Sequence, residues 1–257
     1  MPDEILRFEN VWYGNDVVQD HVDNISFALG KGEGLVLSGP EGSGKNQIMG
    51  LIMAKYLPRS GQIYYEGANL RLQQDEEIER LRFSIGYVTQ TAGLINNLSV
   101  MENIILPLRY HTDMKDDALF AAAEFWIDRY ELRHKIKARP VALSDSENIR
   151  TALIRALIVE PRLLLLDMVF DGLCPLASRR ILELVFEDIK ARQIAHIIST
   201  YYPRVFESRQ LKFMLLYRGE VVFDGQIADL NTADNVFLAQ YRNFATKGAM
   251  QAFNGAV

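Results

Sequence analysis

The sequence predicts an α/β fold whose core is a mostly parallel sheet, with an antiparallel β portion before it and a helical insertion within it. Two short runs, Gly34–Ser38 and Leu163–Asp167, are almost wholly apolar, which is typical of strands buried on both faces of a parallel sheet. Segments with helical spacing separate such strands, and alternating strands and helices imply parallel pairing. Residues 99–160 have mostly helical spacing, and the insertion lies between Gln90 and Pro161.

Turn residues and changes of period set the predicted boundaries. The predicted strands are Ile5–Tyr13, His21–Leu29, Gly34–Ser38, Gln62–Gly67, Phe83–Gln90, Leu163–Asp167, Ala195–Thr200, Lys212–Tyr217 and Glu220–Asp224. The predicted helices are Lys45–Leu57, Val100–Leu108, Leu119–Tyr130 and Leu176–Lys190. We expect Gln62–Gly67 to be an edge strand and the last two strands to form a hairpin around Arg218 and Gly219.

Composition limits the kind of protein. The 257 residues are 49% hydrophobic and 24% charged, which is ordinary for a globular domain and excludes bulk disorder. The net charge of −5 argues against nucleic acid as a partner. The single cysteine, Cys174, excludes an internal disulfide framework. We expect no signal peptide, and no apolar run approaches the ~20 residues that span a bilayer, so a membrane role requires a partner.

A glycine-rich segment follows the strand Gly34–Ser38. Its sequence from Gly39 to Lys45, GPEGSGK, fits the pattern G-x-x-x-x-G-K between a strand and a helix. In such a loop, backbone N–H groups and the helix N-terminus bind phosphate oxygens, and the lysine reaches the outer phosphates. A glycine-rich turn without a ligand is the alternative. The predicted nucleotide contacts here are Gly39, Gly42, Ser43, Gly44, Lys45, Asn46 and Gln47. Asn46 stands where the pattern has a Ser or Thr ligand of Mg²⁺.

From this point the order of segments resembles the ABC ATPases over nearly the whole chain, which implies a P-loop core of that type, with ATP and Mg²⁺ as cofactors. Tyr13 stands where the family stacks an aromatic ring on adenine. Gln90 matches the glutamine that contacts Mg²⁺, and Asp167 ends a segment, LLLLD, that matches the metal-binding strand. The resemblance therefore implies Asn46, Gln90 and Asp167 as metal ligands.

A narrower resemblance lies between Gln90 and Thr112, in QTAGLINNLSVMENIILPLRYHT. This segment looks like the ATPases of the Mla-type lipid transporters, which work with MCE proteins. The resemblance implies a transmembrane permease, a second ABC ATPase subunit in a homodimer or heterodimer, and an MCE-type lipid-binding protein as partners. It implies a position on the cytoplasmic face of the inner membrane, held there through the permease.

The residues that carry hydrolysis in the family are replaced. Met168 occupies the position of the glutamate that polarises water, and Thr200 that of the switch histidine. The signature LSGGQ reads LSDSE here, in the predicted signature-like residues Ser144, Asp145, Ser146 and Glu147. Two glycines are lost, and the two carboxylates would repel a phosphate across a dimer. Cys174 stands at the D-loop aspartate position.

These replacements affect the chain's own phosphate site. They also affect the signature and D-loop segments that would face the phosphate loop of a partner subunit. We therefore expect a subunit that binds ATP, hydrolyses it poorly or not at all, and serves a lipid transporter structurally or as a regulator. The alternative is an active ATPase that uses Asp171 or an intact partner. A soluble regulatory ABC protein is a third hypothesis, although such proteins usually carry two tandem domains. Met168 and Cys174 could instead be core residues released from a catalytic role.

The predicted domain is a nucleotide-binding domain over residues 1–235, with its helical subdomain at about 92–160. We expect the tail, 236–257, to be a contact segment instead of a frayed end. The family receives a permease helix in a groove near Gln90–Leu108, and we expect Leu94 and Ile104 to line it.

Overall fold

The computed structural model describes residues 3–14 and 21–251. The chain divides into two compact units, a first unit of Met1–Gln73 with Ile197–Val257 and a second unit of Gln74–His196. The strands are β1 (Glu4–Tyr13), β2 (Val22–Gly30), β3 (Gly34–Ser38), β4 (Ser60–Tyr65), β5 (Ala68–Asn69), β6 (Ile85–Thr89), β7 (Leu163–Asp167), β8 (Ala195–Ser199), β9 (Lys212–Tyr217) and β10 (Glu220–Gln226). The helices are α1 (Lys45–Ile52), α2 (Asp75–Phe83), α3 (Val100–His111), α4 (Asp116–Arg129), α5 (Asp145–Leu157), α6 (Pro175–Arg192) and α7 (Val236–Arg242).

The first unit contains an antiparallel sheet with the strand order β2-β1-β4-β5. Its buried face carries Leu6, Phe8 and Val11 of β1, and Phe8 stacks on Phe27 with ring centroids 4.6 Å apart. The prediction of an edge strand at Gln62–Gly67 was wrong, because the two-residue strand β5 covers the outer side of β4.

The first unit also contains the strands that lead to the glycine-rich segment. β9 pairs parallel with β3 and antiparallel with β10. Every residue of β3 is buried, as predicted for a strand covered on both faces. The backbone N–H of Thr200, just after β8, donates to the carbonyl of Leu37 at 3.1 Å. The end of β3 and the residue after β8 are therefore neighbours.

Helix α1 ends earlier than the sequence predicts. The pattern, with Pro58 as the stop signal, predicts a helix to Leu57, whereas α1 ends at Ile52. The chain reverses through Ala54, which has φ of 47°, and Tyr56 then packs on Gly50. A Cβ on Gly50 would lie 2.2 Å from the Tyr56 ring, so this glycine lets the turn close on the helix.

The second unit contains the parallel pair β6–β7 and the helices α2 to α6. Gly86 of β6 permits close packing of α5, since a Cβ there would lie 2.9 Å from the carbonyl oxygen of Ala156. Helices α4 and α6 are joined by a buried polar cluster: Asp188 accepts from the Tyr130 hydroxyl at 3.0 Å and from Arg129 at 2.7 Å. Within the described ranges, no helix combines the length and hydropathy needed to cross a bilayer.

Candidate functional site

The glycine-rich segment of the first unit is a tight loop between β3 and α1. Gly39, Gly42 and Gly44 have φ values of 143°, 70° and 105°, which L side chains rarely adopt. A Cβ on Gly39 would lie 2.2 Å from the carbonyl oxygen of Leu216, and one on Gly44 2.8 Å from the side chain of Val22. No side chain caps α1, because Gly44 is its N-cap. The backbone shape thus fits a phosphate cradle at a helix N-terminus.

Lys45 is folded onto this loop. Its Nζ donates to the carbonyls of Gly39 and Pro40 at 2.7 and 2.9 Å and to Ser43 Oγ at 3.1 Å. The residue is only 4% exposed, and the ammonium lies 4.8 Å from the ring centroid of Tyr201. Phosphate oxygens are charged acceptors, so they can replace the neutral carbonyls around this ammonium.

Two predicted contacts follow on the first turn of α1. Asn46 is exposed and Gln47 is half-buried. A carboxamide oxygen is a hard donor that Mg²⁺ accepts, so Asn46 fits a metal ligand by chemistry and by exposure. Within the described ranges, no group of three or more His, Cys, Asp or Glu side chains forms a metal cluster.

Tyr13, the predicted adenine contact, already carries an aromatic partner. Its ring stacks on Tyr56 with centroids 5.0 Å apart and planes 21° from parallel. One face of Tyr13 is therefore covered, and only the other face is available to a base. The same packing of Tyr56 on Gly50 that ends α1 also supports this ring.

Thr200 does not extend toward a ligand. It is 1% exposed, and its Oγ1 accepts the backbone N–H of Tyr202 at 2.9 Å. The hydroxyl oxygen of Thr200 thus stabilises its own turn. Its neighbour Tyr201 is the side chain of this turn that lies against Lys45.

The second unit holds the other predicted ligands. Asp167, at the end of β7, accepts a hydrogen bond from the Tyr87 hydroxyl at 3.0 Å. Gln90 follows β6 and is exposed. Its side chain packs closely on Gly172, since a Cβ on this glycine would lie 3.2 Å from the amide nitrogen of Gln90. A small cavity of about 230 Å³ beside Gln90 and Gly172 is also lined by Asp145. The predicted metal set thus divides between the units, with Asn46 in one and Gln90 and Asp167 in the other; it stays a prediction.

The segment after Asp167 is a turn without a glutamate. Met168 is half-buried and has φ of 56°, in the left-handed region. The N–H of Asp171 donates to the carbonyl of Met168 at 3.3 Å, which closes the turn. The suggestion that Cys174 is a core residue was wrong, because Cys174 is exposed just before α6.

The signature-like segment begins α5. Ser144 is the N-cap, and a capping box joins it to Glu147: Ser144 N–H donates to Glu147 Oε2 at 2.8 Å, and Ser144 Oγ accepts from Glu147 N–H. Glu147 is buried and also contacts His134 and Lys135, at 3.2 and 3.9 Å. Burial works to raise the pKa of Glu147, but the hydrogen bonds from Ser144, the charge of Lys135 and the hydrogen bond with His134 lower it overall. Of the two added acids, only Asp145 is exposed, whereas Glu147 is a helix cap.

Comparisons with known proteins agree with this geometry. The family model described as ABC transporter matches residues 22–170, more than half of the chain. The chain belongs to the ABC transporter family. Members of the family bind ATP, normally with Mg²⁺, dimerise, and associate with transmembrane permeases. This protein is accordingly an ABC nucleotide-binding subunit of a membrane transporter.

Individual relatives come from several transport systems. The chain is 28% identical over 237 residues to the phosphonates import ATP-binding protein PhnC of Wolinella succinogenes, covering 88% of this chain and 85% of that protein. It is 26% identical over 203 residues to the intermembrane phospholipid transport system ATP-binding protein MlaF of Haemophilus influenzae, covering 78% and 76%. In fold it is similar to a dimeric post-hydrolysis structure of the ATP-binding cassette MJ0796 bound to ADP and Pi, with a TM-score of 0.78 and 23% identity over 87% of this chain and 99% of that one.

This ABC subunit has an apolar groove in its second unit. The groove has a volume of about 600 Å³ and is lined by residues that include Phe83, Tyr87, Leu106, Tyr110 and Arg155. Sequence analysis placed a groove near Gln90–Leu108, with Leu94 and Ile104 as lining residues, and Leu106 and Pro107 of this stretch do line the observed groove. Ile104 is 0% exposed and belongs to the core, so its assignment to the groove was wrong, whereas the assignment of Leu94 stays a prediction. The exposed turn of α3 comes later along the helix, where Tyr110 is 82% exposed.

Arg155 of α5 lines this groove and also holds the loop that follows Gln90. Its guanidinium donates to the carbonyls of Ala92 and Gly93 at 2.9 and 2.8 Å. Burial lowers the pKa of Arg155, although an arginine stays charged at any ordinary pH. Sequence analysis missed this residue, because an arginine in an amphipathic helix carries no signal of a contact 62 residues away.

Proposed function

We propose that this ABC subunit binds ATP but hydrolyses it slowly or not at all, and that it serves its transporter as a structural or regulatory subunit. One observation carries the proposal. The phosphate loop keeps its glycine conformations and Lys45, while Met168 and the buried Thr200 stand at the two catalytic positions. Binding and hydrolysis depend on different residues, so one can persist without the other.

The missing groups account for slow chemistry. A methionine thioether accepts no proton, so general-base help to the attacking water, typically worth ~10²–10⁴-fold, is absent at Met168. The hydroxyl of Thr200 is engaged by the N–H of Tyr202 within its own turn. Asp145 adds an exposed carboxylate at the start of α5, where the family offers glycines to a partner's phosphate.

The cofactors of this site are ATP and Mg²⁺. Lys45 and the loop amides from Gly39 to Lys45 hold the phosphates, and Tyr13 offers one ring face to the base. Asn46, Gln90 and Asp167 would hold Mg²⁺, which neutralises phosphate charge when bound. Met168, at the position of the catalytic glutamate, supplies no base for water, so we expect bound ATP to be hydrolysed slowly or not at all.

Two variants test the proposal. Calorimetry with ATP and an assay of phosphate release are run on the wild type, on Lys45→Ala and on Lys31→Ala, an exposed lysine of the β2–β3 turn that serves as the matched control. We expect micromolar-range binding that is lost only in Lys45→Ala, with turnover far below the ~1–10 s⁻¹ of ordinary enzymes. Ordinary turnover that disappears in Lys45→Ala would refute the proposal.

The transporter partner is a permease seated in the groove beside Tyr110, on the cytoplasmic face of the inner membrane. We propose lipid, specifically phospholipid, as the cargo, with an MCE-type lipid-binding protein in the same complex. The resemblance between Gln90 and Thr112 and the similarity to MlaF support this choice. The chain is similar to a phosphonate importer subunit at a comparable identity, and that relative does not point to a lipid cargo. The cargo is therefore tested directly.

The groove test compares two exposed aromatic residues of the second unit. Tyr110→Glu places a charge in the groove, whereas Phe125→Glu places one on α4, at a residue that is 59% exposed. We expect Tyr110→Glu to lose the permease during purification in mild detergent and Phe125→Glu to retain it. Equal retention by two folded variants refutes the groove. The purified complex in liposomes must then move labelled phospholipid; transport of a phosphonate and not of phospholipid refutes the lipid assignment.

A second candidate function is an active ATPase. Asp171 lies at the end of the turn that begins at Met168, and it is the acid nearest in sequence after Asp167. A partner ABC subunit with intact residues would supply the remaining groups in a heterodimer. In that case the complex hydrolyses ATP at ordinary rates, and Asp171→Asn reduces turnover by more than ~100-fold; slow turnover that Asp171→Asn leaves unchanged excludes it.

A further inference from the structure

The hydroxyl of Tyr241, on the C-terminal helix α7, lies at the start of the phosphate loop. It accepts from the N–H of Gly39 at 3.3 Å and from Ser38 Oγ at 3.1 Å. It also lies 3.0 Å from the carbonyl of Tyr201, to which it donates. One phenol thus joins the first glycine of the loop to the turn that carries Thr200 and Tyr201.

Helix α7 is a fixed support for this hydroxyl. Asn235, its N-cap, donates to the carbonyl of Val222 in β10 at 2.9 Å. The ring of Phe237 packs on Tyr217 of β9, with centroids 5.9 Å apart. The position of Tyr241 is therefore set by the hairpin β9–β10 as well as by the helix itself.

The residue before Tyr241 holds the chain that follows. Gln240 is buried; its amide donates to the carbonyl of Met250 at 2.7 Å, and its oxygen accepts the N–H of Met250. The same amide donates to the carbonyl of Ala245 at 3.0 Å. Met250 itself is buried, and a Cβ on Gly248 would lie 2.4 Å from the Gln240 oxygen. The residues after α7 are thus closely packed on the helix that carries Tyr241.

Tyr201 completes the connection to the phosphate site. Its carbonyl is held by Tyr241, and its ring lies 4.8 Å from the ammonium of Lys45. Gly39 contacts both residues: its carbonyl accepts from Lys45 at 2.7 Å, and its N–H donates to the hydroxyl of Tyr241. Lys45 thus touches two residues that Tyr241 holds by hydrogen bonds.

We propose that Tyr241 is a positioning residue for the phosphate loop, and that through it the segment Val236–Gln251 sets the affinity of the subunit for nucleotide. The inference rests on the proposed binding of ATP at Lys45. Affinity for a phosphate depends on how well the loop amides are pre-organised, and Tyr241 fixes the first of them. By linkage, a nucleotide that binds better when the segment is docked must stabilise the docked segment by the same factor.

The first experiment measures ATP affinity of the full chain for the wild type, Tyr241→Phe and Tyr64→Phe. Tyr64 is the matched control, since its hydroxyl bonds Gln62 on the antiparallel sheet. Because one neutral hydrogen-bond group is lost, we expect Tyr241→Phe to bind ATP about threefold to tenfold more weakly. We expect Tyr64→Phe to bind like the wild type. Equal affinity in the wild type and Tyr241→Phe overturns the inference.

Hydrogen exchange provides a readout that a merely structural tyrosine would not change. Saturating ATP should slow exchange at residues 245–251 in the wild type, and this effect should be absent in Tyr241→Phe. Gln240→Ala gives a second variant, which releases Met250 but leaves the hydroxyl of Tyr241 intact; it should exchange faster at 245–251 and bind ATP more weakly. A Gln240→Ala protein with a freely exchanging tail and unchanged affinity overturns the role of the segment.

If the wild type does not bind ATP, the proposed function fails; if only Lys45→Ala loses binding, the inference alone fails.

Discussion

The phosphate loop of the first unit and the turn after Asp167 in the second unit have diverged differently from the ABC pattern. The loop keeps every glycine, and each of Gly39 and Gly44 would clash if it gained a side chain. The turn has Met168, at φ of 56°, at the position where the family pattern has a glutamate. Close packing at Gly39 and Gly44 thus excludes side chains from the loop, whereas the turn after Asp167 accommodates the side chain of Met168.

The largest effect expected from this comparison is that of Gly39→Ala. The new Cβ would lie 2.2 Å from a backbone oxygen, so the loop must move, and we expect ATP affinity to fall by at least ~100-fold. Gly67→Ala is the control: Gly67 has φ of 80°, but nothing lies within 4 Å of the new atom. It should cost roughly 1 kcal/mol of stability and leave binding unchanged. Calorimetry and thermal melting measure both, and near-normal ATP binding by Gly39→Ala would contradict the packing argument.

The next effect concerns the reactive groups. The double variant Met168→Glu, Thr200→His restores both family residues, yet we expect turnover to rise by less than ~10-fold. Asp145 and Ser146 remain where the signature has glycines, and the site around position 200 is closed by packing. A phosphate-release assay on the purified complex measures the change. A rise of several hundredfold would mean that the signature changes do not matter.

A smaller effect is expected at the metal ligand. Asn46→Thr introduces the hydroxyl of the family pattern, and we expect Mg²⁺ to strengthen ATP binding about threefold to tenfold more in this variant than in the wild type. Affinities are compared with Mg²⁺ and with EDTA for both proteins. If the two proteins gain equally from Mg²⁺, then Asn46 is an adequate ligand.

The smallest effect is predicted for Glu147→Gln. The pKa of Glu147 lies below its ordinary value of 4.5, so its carboxylate stabilises the folded state above that pH and this contribution is lost as pH falls. At pH 7 the variant should be less stable by roughly 0.5–1 kcal/mol, and the difference should shrink below pH ~4.5. Denaturant unfolding at pH 7 and pH 4 measures it. A constant difference would show that the charge of Glu147 has no role in the cap.

Local patterns predicted the fold and the elements that flank the glycine-rich loop well, and long-range contacts poorly. The strand Gly34–Ser38 and the start of α1 follow from apolar runs and glycines that are adjacent in sequence. The end of α1 depended on Tyr56 packing back on Gly50, which periodicity does not contain. Tyr241 contacts Gly39 across 202 positions, and nothing near either residue signals the other.

The groove and the loop that follows Gln90 share one side chain, that of Arg155. Arg155 forms part of the groove wall, and its guanidinium is hydrogen-bonded to two carbonyls just beyond Gln90. We expect a helix that presses on this wall to displace the loop without any other residue in between. If Gln90 binds the nucleotide as proposed, a permease helix seated in the groove would shift the backbone next to the nucleotide, and this coupling would not require ATP hydrolysis.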